Sequence, residues 1–344
     1  MTAAPCVIAL DLGGTLLKAG LVDEAGATLL ARHRPVPREQ GWQAVVDGVL
    51  DAVDDLADAA RERGLEPAAA GLVVPGIVDE ESGVAVFSAN LGWRDVPLRA
   101  LVEERCGLPV AFGHDVRAGG LAEGVLGAAR DAGDFLFLAL GTGIAGAAVL
   151  GGRPYAGDGF AGEIGHVVVE PGGRPCGCGG RGCLETVASA AAIAARYAAD
   201  GGAAEGTAAA VGAAAAGVTA VAAGGVPEGT APAAGGAAEV TAAEVAERAR
   251  AGEPAAAAVW AEAVEALAGA LATYVSVLAP RVIVVGGGLA EAGEQLLGPL
   301  DAALAARLTF HRRPELRRAA LGDQAGRLGA AVLAWRRAGR EVAA

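Results

Sequence analysis

The chain opens on an apolar run, Val7–Leu12, which Gly13-Gly14-Thr15 breaks and Leu17–Val22 resumes. After Asp23-Glu24-Ala25-Gly26 a third run covers Thr28–His33. Short apolar runs punctuated by glycine and acidic turns predict a strand meander. From residue 42 the period changes. Trp42, Val45, Val46, Val49, Val53, Leu56 and Ala60 recur at helical spacing with acids between them, which predicts an amphipathic helix over 42–63 that Gly64 ends. Gly71–Pro75 returns as a strand, and Pro109–Phe112 is another that runs into a helix over 116–126.

The plan then repeats. Phe135–Leu140 and Ile144–Leu150 flank Gly141-Thr142-Gly143, and setting VIALDLGGT over FLFLALGTG aligns Gly13 with Gly141 and Asp11 with Ala139. A strand, glycine loop and strand at the start of each half predict a duplicated α/β domain pair with a cleft between, where ligands usually bind. Residues 200–239 differ: Ala, Gly, Thr and Val with a few acids and no aromatic predict an insertion with little to bury. Thr241-Ala242-Ala243-Glu244 has capping-box spacing. A helix over 255–278 follows, then a strand over Val282–Val285 that enters Gly286-Gly287-Gly288. The expected division is a smaller domain, 1–113, joined by a C-terminal helix over 324–338, and a larger domain, 114–323, which holds a loop at 166–183 and the 200–239 insertion.

Composition sharpens this picture only at a few points. The 344 residues are 53% hydrophobic and 4% aromatic, with 54 glycines, so much of the apolar content is small side chains. A net charge of −13 argues against a nucleic-acid partner, which needs a basic footprint. It does not exclude anionic small ligands, which backbone amides or a metal can hold locally. No basic stretch followed by an apolar segment opens the sequence, GTGIAG interrupts 135–152, and 206–227 lacks Leu, Ile and Phe. The expectation is a cytoplasmic protein without a membrane span.

Three constellations carry chemistry. In Asp11-Leu12-Gly13-Gly14-Thr15, the glycines let amides approach an anion, and an Asp beside phosphate implies a bridging Mg²⁺; a tight hairpin with a capping Asp is the alternative. Lys18 either reaches a phosphate from this hairpin or is a solvated strand residue. Asp115, where a strand meets a helix, is either a general base for a hydroxyl or the helix N-cap. His166, Cys176, Cys178 and Cys183 are the most specific signal: clustered thiols and an imidazole in a glycine-rich loop suit a closed Cys₃His zinc site. Such an ion would order a loop that cannot hold a shape unaided, and so fix Glu163 and Glu185 on either side.

Together these pieces resemble the ROK family (repressor, open reading frame, kinase) of sugar kinases and regulators. DLGGTLLKAGLVD and LGTGIAGA resemble its two phosphate motifs, SANLGW its sugar loop, AGEIGHVVVEPGGRPCGCGGRGCLE its signature, and VIVVGGGLA its adenosine loop. The resemblance implies two actin-like ATPase (ribonuclease H-like) domains around a cleft, and an ATP-dependent kinase for the 6-hydroxyl of glucose or a related hexose. Asp115 would be the base. Asn90, His114, Glu163, His166 and Glu185 would hold the sugar, and His166, Cys176, Cys178 and Cys183 the zinc. Asp11, Gly13, Gly14, Thr15, Lys18, Gly141, Thr142, Gly143, Gly286, Gly287 and Gly288 would surround Mg–ATP.

Three positions depart from the family pattern: His114 and Arg117 stand where family kinases have Asn, and Leu16 where Lys is common. N-acetylmannosamine, N-acetylglucosamine, fructose or allose as acceptor, polyphosphate as donor, and a weakly catalytic sugar sensor stay open. Family repressors add an N-terminal helix-turn-helix, for which a first strand at Val7 leaves no room. The family also implies a homo-oligomer, a dimer or tetramer.

Overall fold

The structure is a computed structural model that describes residues 3–199 and 240–342; the expected insertion at 200–239 lies outside them. The opening meander forms as the apolar runs require. β1 (Ala4–Leu12), β2 (Leu16–Val22) and β3 (Thr28–Pro35) pair antiparallel in succession. Residues Cys6 to Leu10 are wholly buried, so β1 is covered on both faces, as an unbroken apolar run implies. α1 (Trp42–Glu62) turns Val45, Val46, Val49, Val53, Leu56 and Ala60 into the core. Trp42 departs from that face: as the first residue of the helix it lies at its end and stays 36% exposed.

β4 (Leu65–Val74) begins at Leu65, not at Gly71, because its first residues pair parallel with β1 across a bulge beside Pro67. Pro67 and the alanines after it carry no strand signal of their own; the partner strand recruits them. β5 (Ile77–Asp79), β6 (Val84–Ser88) and β7 (Trp93–Val96) form a small antiparallel sheet. α2 (Leu98–Cys106) leads to β8 (Val110–His114), which pairs parallel with β4 and runs straight into α3 (Asp115–Val125).

The second half repeats the first. β9 (Phe135–Leu140), β10 (Ile144–Leu150) and β11 (Arg153–Pro154) form the meander. Helices α4 (Glu185–Ala188), α5 (Ala190–Ala199), α6 (Ala242–Arg250) and α7 (Pro254–Leu278) follow, α6 starting on the expected Thr241–Glu244 capping box. β12 (Val282–Gly286), α8 (Glu294–Arg307) and β13 (Glu315–Arg318) complete the sheet in parallel pairing. By length and composition α7 could cross a membrane, but half of its most apolar stretch is buried in the protein core.

The two five-stranded sheets run β3-β2-β1-β4-β8 and β11-β10-β9-β12-β13, the same plan twice. This is the duplicated ribonuclease H-like arrangement of the actin-like ATPases. α9 (Ala325–Arg337) returns from the end of the second sheet to pack on β1 and β4, with α3 alongside it against β10.

Candidate active site

A cavity of about 620 Å³ opens between the two meanders. Asp11 and Lys18 line it from β1 and β2, Asp115 and Gly119 from α3, Phe137 and Ala139 from β9, and Gly287, Gly288 and Glu291 from the turn after β12. Gly322, Asp323, Ala325 and Gly326, at the start of α9, close it. Gly13, Gly14 and Thr15 form the turn between β1 and β2, Gly141, Thr142 and Gly143 that between β9 and β10, and Gly286 ends β12. None of these seven lines the cavity wall, though each turn follows a strand that does.

Burial, and then the Asp115 charge, push the Asp11 carboxyl up to about 7, with Lys18 and Arg327 pulling the other way. Gly326 is what lets α9 come this close, since a Cβ there would collide with the Asp11 carboxylate. Sequence reasoning missed this wall of the cavity. The available signal was the two glycines in Gly322-Asp323-Gln324-Ala325-Gly326, directly around the predicted helix start. Lys18 donates from Nζ to the Asp323 carbonyl at 2.7 Å, so it ties β2 to the start of α9 while lining the cavity.

Asp115 is the first residue of α3, and its Oδ1 accepts from the Val116 N–H at 2.7 Å. The N-cap is His114, whose Nδ1 accepts from the N–H groups of Val116 and Arg117 at 3.2 and 3.5 Å. The alternative reading of Asp115 as the cap is thus corrected. With Nδ1 accepting, the neutral ring carries its proton on Nε2. Burial holds the His114 pKa below its usual value, against the pull of Asp115, so the ring is neutral at pH 7.

The His166, Cys176, Cys178 and Cys183 donor atoms all lie within 4.8 Å of one another. Cys176 Sγ is 3.6 Å from His166 Nδ1, and Cys178 Sγ is 3.7 Å from Cys183 Sγ. Ligands about 2.0–2.3 Å from a tetrahedral ion stand this far apart, so the donor set fits zinc. Around it the loop is held by two isolated bridges, Val168 to Cys183 and Pro175 to Arg181, and by backbone hydrogen bonds such as those from Cys176 N–H to the Gly180 carbonyl and from Gly182 N–H to the Arg174 carbonyl.

A family profile decides the relationship: that of the ROK family matches residues 7–337. The chain belongs to the ROK family. The glucokinase of Thermotoga maritima is 35% identical over 337 residues, 97% of this chain and 98% of that protein. The ROK hexokinase from Thermus thermophilus superimposes with a TM-score of 0.75 at 34% identity, covering 96% of this chain and 98% of its own. A ROK family glucokinase from Streptomyces griseus, solved with glucose and AMPPNP, gives 0.76 at 29% identity, covering 96% and 99%.

In this ROK chain the remaining expected residues fall into two groups. Glu163 Oε2 stands 3.7 Å from His166 Nε2, the ring atom turned away from the thiol, and is half exposed. Glu185 Oε2 accepts from the Ile144 N–H at 2.9 Å, which fastens the end of the cysteine loop to the second glycine turn. Asn90 lies apart from these contacts, on the exposed turn between β6 and β7. Asp115 lines the cavity and stands 3.3 Å from His114 Nδ1.

Proposed function

We propose that this ROK protein is a cytoplasmic, ATP-dependent hexose kinase that phosphorylates the 6-hydroxyl of glucose or a related hexose. The observation that carries the reading is the position of Asp115: the carboxylate begins α3, faces the cavity that Asp11, Gly287 and Gly288 line, and adjoins His114 on its other side. A carboxylate so placed accepts the proton of a sugar hydroxyl as the hydroxyl attacks the terminal phosphoryl group. The glucokinase and hexokinase relatives support the same chemistry.

On the donor side, Asp11 and the glycine turns suit a nucleotide with its Mg²⁺, which supplies charge neutralisation at the phosphates. On the acceptor side, Asn90, His114, Glu163, His166 and Glu185 hold the other hydroxyls. His166 offers Nδ1 to a structural zinc with Cys176, Cys178 and Cys183, and Nε2 to the Glu163 side. His114 offers the sugar one donor, Nε2–H, where the family Asn offers both a donor and an acceptor, so it bears on which hexose fits.

Turnover on glucose, mannose, fructose, allose, N-acetylglucosamine and N-acetylmannosamine, read as ADP release with ATP and as sugar-phosphate formation with ATP or polyphosphate as donor, tests the reading. Turnover on at least one hexose with ATP is expected, and none on any would overturn it. Asp115→Ala should lower kcat by about 10²- to 10⁴-fold while calorimetry still detects sugar binding.

A further inference from the structure

The acceptor-side residues come from four separate stretches of chain, and one buried guanidinium links three of them: the small sheet that bears Asn90, the His114-Asp115 corner and the loop that leads to Glu163. Arg117, in the first turn of α3, is 3% exposed. Its Nε donates to Glu80 Oε1 at 2.9 Å, in the turn between β5 and β6. Its Nη1 donates to the carbonyls of Gly159 and Ala161 at 3.4 and 3.3 Å, in the loop that leads to Glu163. The same Glu80 Oε1 accepts from the His114 N–H at 3.4 Å.

The loop has little slack against this grip. Gly159 has a φ of 92°, and a Cβ there would collide with the carbonyl of Val78 in β5. Arg117 Nη2 is buried with no hydrogen-bond partner, and Glu80 is the one carboxylate paired with the guanidinium among the described residues. A buried cation stripped of its counter-charge is costly, so the arrangement of these segments is coupled to the pair.

We propose that the Glu80–Arg117 pair is a positioning clasp for the sugar half of the site. It holds the small sheet that bears Asn90, the His114-Asp115 corner and the Glu163 loop in one arrangement. The proposal rests on the hexose-kinase reading above. Glu80, Arg117 and Gly159 are absent from the wall of the cavity that contains Asp11 and Gly287. Loosening the clasp therefore misplaces the acceptor ligands and leaves the nucleotide ligands where they are, and small misplacements of bound reactants are expensive. A residue that served stability alone would not discriminate between the two substrates.

The test is Glu80→Gln in the full-length enzyme. This keeps the side chain's shape and its acceptor oxygen, removes the charge, and changes a partly exposed side chain. The expected result is a rise of about tenfold in the glucose KM, with the ATP KM changed by less than about twofold. In Arg117→Gln the same split appears. The double variant loses no more glucose kcat/KM than Arg117→Gln alone, because both single changes break one interaction. Arg117→Lys, which keeps the charge without the fork, replaces Arg117→Gln if that variant does not fold. An unchanged glucose KM in Glu80→Gln, equal rises in both KM values, or effects that multiply in the double variant would overturn the clasp while wild-type turnover leaves the kinase reading intact. A wild-type enzyme inactive on every hexose would overturn both.

Discussion

Burial and the neighbouring Asp115 carboxylate raise Asp11 to about 7, so its charge state changes near neutral pH. In the unfolded chain the same carboxyl titrates near its usual value of about 3.9. Between roughly pH 4 and 7 the ligand-free folded protein thus binds more protons at this site than the unfolded chain, and Asp11 makes stability fall as pH rises through that window. Asp11→Asn removes this pH dependence. Urea unfolding of wild type and variant at pH 4.5 and 7.5 should show the variant gaining stability on wild type as pH rises. Parallel pH dependence in the two proteins would contradict the assigned environment. The same carboxylate is the ligand proposed for Mg²⁺, so the variant that gains stability at pH 7.5 is also expected to lose turnover.

At the scale of elements, the cysteine loop behaves as a unit that lacks a core of its own. Backbone hydrogen bonds and two isolated bridges shape it, and its four donor side chains converge on one point. Metal analysis of the purified protein should find about one equivalent of zinc per chain. Cys178→Ala should drop that figure well below one and raise the glucose KM, because the loop runs between His166 and Glu185. Retained metal and unchanged affinity would contradict the site. This cluster was legible in the sequence because its four residues lie close together along the chain. The meanders, α1, α7 and α9 were legible for a related reason, since apolar periodicity is a local property. The start of β4, the wall built by Gly326 against Asp11 and the contact of Arg117 with Glu80 were not. Each depends on a partner brought up from a distant stretch, and neither residue of such a pair carries a mark of the other.

Across the whole molecule, the two sheets are joined where α3 and α9 cross, and a buried carboxylate fixes the crossing. Glu123 in α3 is wholly buried. One of its oxygens accepts from the N–H groups of Ala128 and Ala320 at 2.7 and 3.1 Å, the other from Leu321 at 2.9 Å. Ala320 and Leu321 lie on the stretch that leaves β13 for α9, so this side chain pins the return of the chain from the second sheet to the first. Three amide donors point at this carboxylate and leave no room for a donor in its place. Glu123→Gln turns an amide NH₂ toward at least one of these N–H groups, and a buried donor without an acceptor costs about 1–3 kcal/mol. Glu123→Ala orphans all three and should cost more than Glu123→Gln, since each buried donor left without an acceptor costs about 1–3 kcal/mol. Chemical denaturation measures both losses. A cost below about 0.5 kcal/mol for either variant, the level of an ordinary surface substitution, would show that the crossing is held by helix packing alone.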